Sequence, residues 1–199
     1  SFRIFLRDVI KHQNFFTLQD VTRYSTKEVT NSYINFLVKI RVLEKVKEGF
    51  KLKNVPIKSF GETLEWFIAE IFKREFLTEA IWGVKVKRPG IGGDYDLLAK
   101  INSSILYMEV KSSPPKQIYQ NEISSFLNRV FDLIPEIAIF FLDTELRMKD
   151  KIVPMFEMEF NMRFELAPEI IRIEKELFEV SIERPKIFII NAKDSIKNN

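Results

Sequence analysis

The chain is predicted to be an α/β protein with a mixed β-sheet flanked by helices, preceded by a small helical domain. Three observations predict this. Beyond residue 59, apolar periodicity switches between helical and strand spacing in the order helix, strand, strand, strand, helix, strand. Residues 2–53 hold three short amphipathic segments followed by two short strands. Charge divides at the same place: residues 1–60 carry 12 Lys/Arg and 5 Asp/Glu, whereas the remainder carries 19 and 23. The predicted boundary is the Pro56 segment, giving domains 1–55 and 56–199.

Composition narrows the chemistry. With 46% hydrophobic residues and 19 Phe in 199 residues, a packed core is assured. Cysteine is absent and His12 is the sole histidine, so disulfides and thiolate zinc sites are excluded. Any metal would be held by oxygen, which favours Mg²⁺ or Mn²⁺. No apolar run is long enough to span a bilayer, and the start, Ser-Phe-Arg-Ile, lacks a signal-peptide pattern, so a cytoplasmic location is expected. A first residue other than Met points to a piece of a longer protein.

The first domain is read element by element. Phe2 to Lys11 places apolar residues at 2, 4, 5, 6, 9 and 10, a helical stripe. Thr17 caps a short second helix running to Arg23. Ser25-Thr-Lys-Glu28 has the form of a capping box opening a third helix, Thr26 to Ile40. Strands are predicted at Val42–Val46 and Phe50–Lys53, around Gly49. This order resembles a winged helix-turn-helix, in which the third helix would be the recognition helix. Lys27, Asn31, Asn35 and Lys39 recur every four residues along it. Lysine suits phosphate and asparagine can read an adenine edge. The wing would carry Lys45, Lys47, Lys51 and Lys53. With the basic charge of this segment, the resemblance implies DNA as the partner.

The second domain opens with a predicted helix from a capping box at Ser59–Glu62 to Phe76. Strands are expected at Ala80–Lys87, Asp96–Ile101 and Ile105–Lys111, with Gly90, Gly92 and Gly93 in a loop. Further elements are a helix at Asn121–Leu133, a strand at Ile137–Leu142, helices at Met148–Phe164 and Pro168–Phe178, and a strand at Lys186–Asn191. Trp66 and Trp82 are expected in the core.

The chemistry lies between Gly92 and Lys111. A turn near Ser103 sets Asp96 across from residues 109–110. Strand alternation puts Glu109 and Lys111 on the face of Tyr107, with Met108 and Val110 on the other. Two acids and a lysine at one end of a hairpin are poor core residues, because like carboxylates raise each other's pKa. A divalent cation relieves that repulsion. Asp94 is the rival to Asp96, less favoured because it follows two glycines in a loop.

Asp96 followed by Glu109-x-Lys111 resembles the PD-(D/E)xK nuclease superfamily, the restriction-endonuclease-like fold shared by many restriction enzymes and archaeal Holliday-junction resolvases. The resemblance covers residues 59–145, with Tyr95 in place of the proline. It implies a metal-dependent DNA endonuclease using Mg²⁺ (Mn²⁺ as a substitute). Asp96, Glu109 and the Val110 carbonyl would be ligands and Lys111 would assist catalysis. Gly61-Glu-Thr-Leu-Glu65 matches the family's upstream helix, so Glu65 is the implied fourth catalytic residue. Glu62 is read as a cap and Glu70 as the fallback. The alternatives are a non-catalytic DNA-binding or interaction protein with a degenerate nuclease-like domain, and the C-terminal part of a larger ATPase-linked machine. A homodimer is a further expected form, since cutting two strands takes two sites.

Overall fold

The computed structural model describes residues 2–23, 25–53, 57, 60–86 and 94–193. Ser59, Lys87, Arg88, Gly90, Gly92 and Gly93, and the predicted linker residues Asn54, Val55, Pro56 and Lys58, lie outside the described residues. The chain divides into two compact units, Ser1–Glu62 and Thr63–Asn199.

The first unit contains α1 (Phe2–Lys11), α2 (Leu18–Val21), α3 (Lys27–Lys39) and the antiparallel hairpin β1 (Leu43–Val46) and β2 (Gly49–Leu52). Phe5, Val9, Phe16, Val21, Ile34 and Leu37 form its core. Gly49 is required here: a Cβ on it would come within 2.3 Å of the Phe16 carbonyl oxygen, where Phe16 and Phe50 exchange backbone hydrogen bonds at 2.8 Å. The cap of α3 is one residue later than the sequence predicted. Thr26 accepts from the Val29 amide at 3.4 Å, and Ser25 bonds the buried Thr30 hydroxyl instead.

The rest is built on a seven-stranded mixed sheet. Its elements are α4 (Phe60–Glu75), β3 (Ala80–Lys85), β4 (Asp94–Ile101), β5 (Ser104–Lys111), α5 (Gln120–Leu133), β6 (Ile137–Leu142), α6 (Ile152–Arg163), β7 (Ile170–Glu174), β8 (Leu177–Val180) and β9 (Lys186–Asn191). The strand order is β3-β4-β5-β6-β9-β8-β7. β3, β4 and β5 form an antiparallel meander, β5, β6 and β9 run parallel, and β8 and β7 return antiparallel. Among the described residues, no helix is long and apolar enough to cross a membrane.

The two faces of the sheet differ. Tyr107, Ala138, Phe140, Ile187 and Ile189 face α5 and α6 and meet Phe126, Phe156 and Phe160 in the main core. The alternate residues, among them Met108, Ile139, Phe141 and Phe188, line an apolar groove beside Ile68 and Ile71 of α4. Glu109 and Lys111 share the parity of Tyr107, so they belong to the α5 face.

Two expectations are overturned. The segment Pro168–Phe178, read as a helix, is the β7–β8 hairpin. Its Ile170, Ile171 and Ile173 are β-branched, Lys175 takes a left-handed turn conformation at φ 44, and β8 completes the ladder on β9. Trp66 and Trp82 are not core residues, being 45% and 40% exposed.

Candidate active site

The β4–β5 hairpin turns at Asn102-Ser103, with Asn102 left-handed at φ 53, a conformation asparagine tolerates. Its ladder runs from Ile101↔Ser104 back to Leu97↔Met108. One step further, Asp96 comes opposite Glu109, but the ladder has opened there. Asp96 instead accepts the Val110 amide proton on Oδ2 at 2.8 Å. The alternation of β4 breaks at the same point. Leu97 pairs with Met108 of the groove face, yet Tyr95 packs edge-on against Tyr107 of the α5 face, centroids 5.1 Å apart. On β3 the matching position is Gly83, at φ 61, an irregularity only glycine adopts freely.

This opening brings the charged groups together. Glu109 is only 2% exposed. Its Oε1 lies 2.8 Å from Lys111 Nζ, and its Oε2 accepts Arg129 Nη1 at 2.8 Å and the Tyr107 hydroxyl. Lys111 Nζ is also 3.4 Å from Glu122 of α5. Burial, the Glu109 carboxylate and, more weakly, Glu65 push the Asp96 carboxyl up to about 7, against the Val110 hydrogen bond and Lys111. Burial opposes the Lys111 charge, but Glu109, Asp96 and Glu122 outweigh it and raise its pKa. Burial and then Glu109 hold the Tyr107 hydroxyl protonated, its pKa well above the ordinary range.

Glu65 of α4 lies near enough to Asp96 to raise its pKa. A Cβ added to Gly83 would lie 4.0 Å from its Oε2, which puts the carboxylate beside the residue that faces Asp96. Glu70 instead pairs with Lys73 and Arg74 at 3.1 Å and is an ordinary helix-surface residue. Asp94 starts β4 rather than lying in a loop. Its exposed carboxylate pairs with Lys85 at 3.4 Å, away from Glu109.

The donor chemistry suits a hard cation. Among the described residues, no three His, Cys, Asp or Glu side chains are disposed to hold a metal ion. The available donors are therefore two carboxylates, Asp96 and Glu109, and a backbone oxygen. The N–H and C=O of a strand residue project to one side, so the Val110 carbonyl faces the same gap as its amide. That set fits Mg²⁺, which retains several waters and takes one or two carboxylates.

In the first unit, Lys27, Asn31, Asn35 and Lys39 are all exposed along α3. Lys27, Lys45, Lys47 and Glu48 line a groove with Thr17 and Gln19. Lys47 is exposed, whereas Lys51 is tied to Glu44 at 3.4 Å and is partly neutralised.

Arg129, Glu122 and the Tyr107 hydroxyl were missed by sequence reasoning. One signal was available. Ile123, Phe126, Leu127 and Val130 form the buried stripe of α5, and Arg129 adjoins it as a cation that needs a buried partner.

No protein-family model matches the chain, and no curated protein matches it. A crystal structure of protein VC1899 from Vibrio cholerae is similar, with a TM-score of 0.51 at 14% identity, over 77% of this chain and 43% of that one. This chain thus spans less than half the length of that protein, and at this identity the likeness concerns the fold alone.

Proposed function

We propose that the chain is a metal-dependent DNA endonuclease of the PD-(D/E)xK type, targeted by a winged-helix first unit. The observation that carries the reading is Asp96. Its half-buried carboxyl is raised to about 7 beside Glu109, an excess of acid that a cation would relieve. The order α4, β3, β4, β5, α5, β6, with β5 parallel to β6, supports the same reading.

Asp96, Glu109 and the Val110 carbonyl would hold Mg²⁺, or Mn²⁺ in its place. When bound, the ion polarises a phosphoryl oxygen and lowers the pKa of a coordinated water. Lys111 supplies a preorganised positive charge for the phosphorane oxygens and orients the water. Glu65, beside Gly83, accepts a proton from the water network. In the first unit, Lys27, Asn31, Asn35, Lys39 and Lys47 contact duplex DNA.

A second reading has its own support: Lys111 and Arg129 already compensate Glu109, so the charges can persist without catalysis in a DNA-binding module. One assay separates the two. Supercoiled, linear, single-stranded and branched DNA are incubated with protein in Mg²⁺, Mn²⁺ or EDTA, beside Asp96→Ala and Lys111→Ala. Metal-dependent cutting lost in both variants supports the nuclease. No cutting above the variant background in either metal leaves the binding module. Asn31→Ala with Lys39→Ala should weaken DNA binding and flatten its salt dependence; unchanged binding removes α3 from the interface.

A further inference from the structure

We infer that Arg129 and Tyr107 are positioning residues that lock Glu109 from behind, so that a cation is gained at Oε1 by displacing the Lys111 ammonium. The inference rests on the metal-dependent reading above.

The two oxygens of Glu109 are held unequally. Oε2 takes Arg129 Nη1 at 2.8 Å and the Tyr107 hydroxyl, and Arg129 Nη1 also reaches the Tyr107 oxygen at 3.2 Å. These three groups close a triangle on the core side of the strand. Oε1 has Lys111 at 2.8 Å, and Lys111 is the more mobile partner, a flexible stem with a rotatable ammonium. Arg129 comes from α5 and cannot follow Glu109 if it turns. A cation approaching the Asp96 side would therefore meet a carboxylate with one oxygen immobilised and the other exchangeable.

Stability alone does not explain this arrangement. Arg129 Nε is buried without a hydrogen-bond acceptor among the described residues. A buried ion pair is commonly no better for stability than apolar residues of similar volume. Arg129 does compensate the buried Glu109, but one nitrogen shared between two acceptors, with Nε unmatched, is a poor geometry for a purely structural pair. Orientation of a ligand carboxylate is a task that needs such a contact, since groups behind metal ligands set their direction and affinity.

The test is Mn²⁺ binding, read from the loss of the free-ion paramagnetic resonance signal in the full chain without DNA. Arg129→Met should weaken binding about 10–100-fold and Tyr107→Phe about tenfold, the range found for groups behind metal ligands. Arg129→Lys should recover part of the loss. Lys111→Met should bind Mn²⁺ more tightly than wild type, because the competing ammonium is gone, although cleavage disappears. Tyr107→Phe removes one oxygen and keeps the ring between Tyr95 and Phe126, so it decides the matter if Arg129→Met does not fold by circular dichroism. Wild-type protein that takes up no Mn²⁺, or Asp96→Ala that binds as tightly, ends the metal-dependent reading itself. Asp96-dependent binding with unchanged affinity in Tyr107→Phe and any folded Arg129→Met overturns the positioning role. Equal or weaker binding in Lys111→Met overturns the displacement.

Discussion

Glu109 and Glu159 are both buried glutamates paired with arginine, 2% and 4% exposed, and they sit in opposite kinds of network. Glu159 on α6 accepts Gln120 Nε2 at 2.9 Å and Arg163 Nε at 3.1 Å. Arg163 donates its other N–H groups to Asn128, the Ser124 carbonyl and the Ser124 hydroxyl, at 2.8, 3.1 and 2.9 Å. The network is closed and it joins α5 to α6. Glu109 has a guanidinium with an unmatched Nε behind it, an exchangeable lysine in front, and a protonatable Asp96 beside it. A closed network holds helices together, whereas an open one retains uncompensated electrostatic energy that a ligand can use.

The largest effect tests this contrast directly. Glu109→Gln should lower DNA cleavage about 10³-fold, the scale for removing a preorganised charged group. Glu159→Gln should leave cleavage within about threefold of wild type, because it is not in the site. Unfolding in urea compares them a second way: Glu159→Ala leaves Arg163 bonded to Asn128 and Ser124 and should cost about 1–3 kcal/mol, whereas Glu109→Ala strands the buried Arg129 and should cost about 3–5 kcal/mol. A cleavage loss in Glu159→Gln equal to that in Glu109→Gln would erase the distinction.

The next effect is the pH dependence of stability. In the native state Asp96 keeps its proton until about pH 7, while the unfolded chain releases it near the ordinary value of 3.8. Between those values the native state binds more protons, so the Asp96 contribution falls as pH rises through the window. The sign is opposite to that of a salt-bridged aspartate. Urea midpoints should therefore show a decline from pH 4 to 7 that is absent in Asp96→Asn, by at most about 1.4 kcal/mol per pH unit for one proton. Mg²⁺ added above pH 7 should recover stability in wild type alone. A wild-type profile parallel to that of Asp96→Asn would mean that Asp96 is not held protonated.

The contrast also marks how far the sequence could be read. Strand alternation is local, so Glu109 and Lys111 were legible on one face, and a turn near Ser103 brought Asp96 to the right rung. The opening of the ladder at Asp96 was not legible, because no local pattern marks it; the matching irregularity, Gly83 at φ 61, lies on another strand. Arg129 lies 20 residues beyond Glu109 on a crossover helix, and no periodicity links the two. The β7–β8 hairpin was hidden for another reason: its Glu, Lys and Leu content favours helix, and only pairing with β9 reverses that preference. Local rules thus recovered the acids and the lysine but not the groups that tertiary packing sets behind them.

The smallest effect concerns Glu122, which has two roles that one substitution can separate. As the third residue of α5 it accepts the Tyr119 amide at 2.9 Å and closes a capping box. Its other oxygen stands 3.4 Å from Lys111, with both side chains partly exposed, 28% and 21%. Glutamine also serves at this position of a capping box, so Glu122→Gln should keep the helix and shift the unfolding free energy by under about 0.5 kcal/mol. It removes a charge that helps hold Lys111 protonated. The alkaline limb of the cleavage profile should therefore move to lower pH, by less than about one unit, as befits a pair worth about 0.2–1 kcal/mol. The rate at neutral pH should change by less than about fivefold on the same scale. A larger loss would place Glu122 within the open network beside Glu109, whereas an unmoved limb with unchanged stability would leave it a helix cap and make Glu109 and Asp96 the acids that govern Lys111.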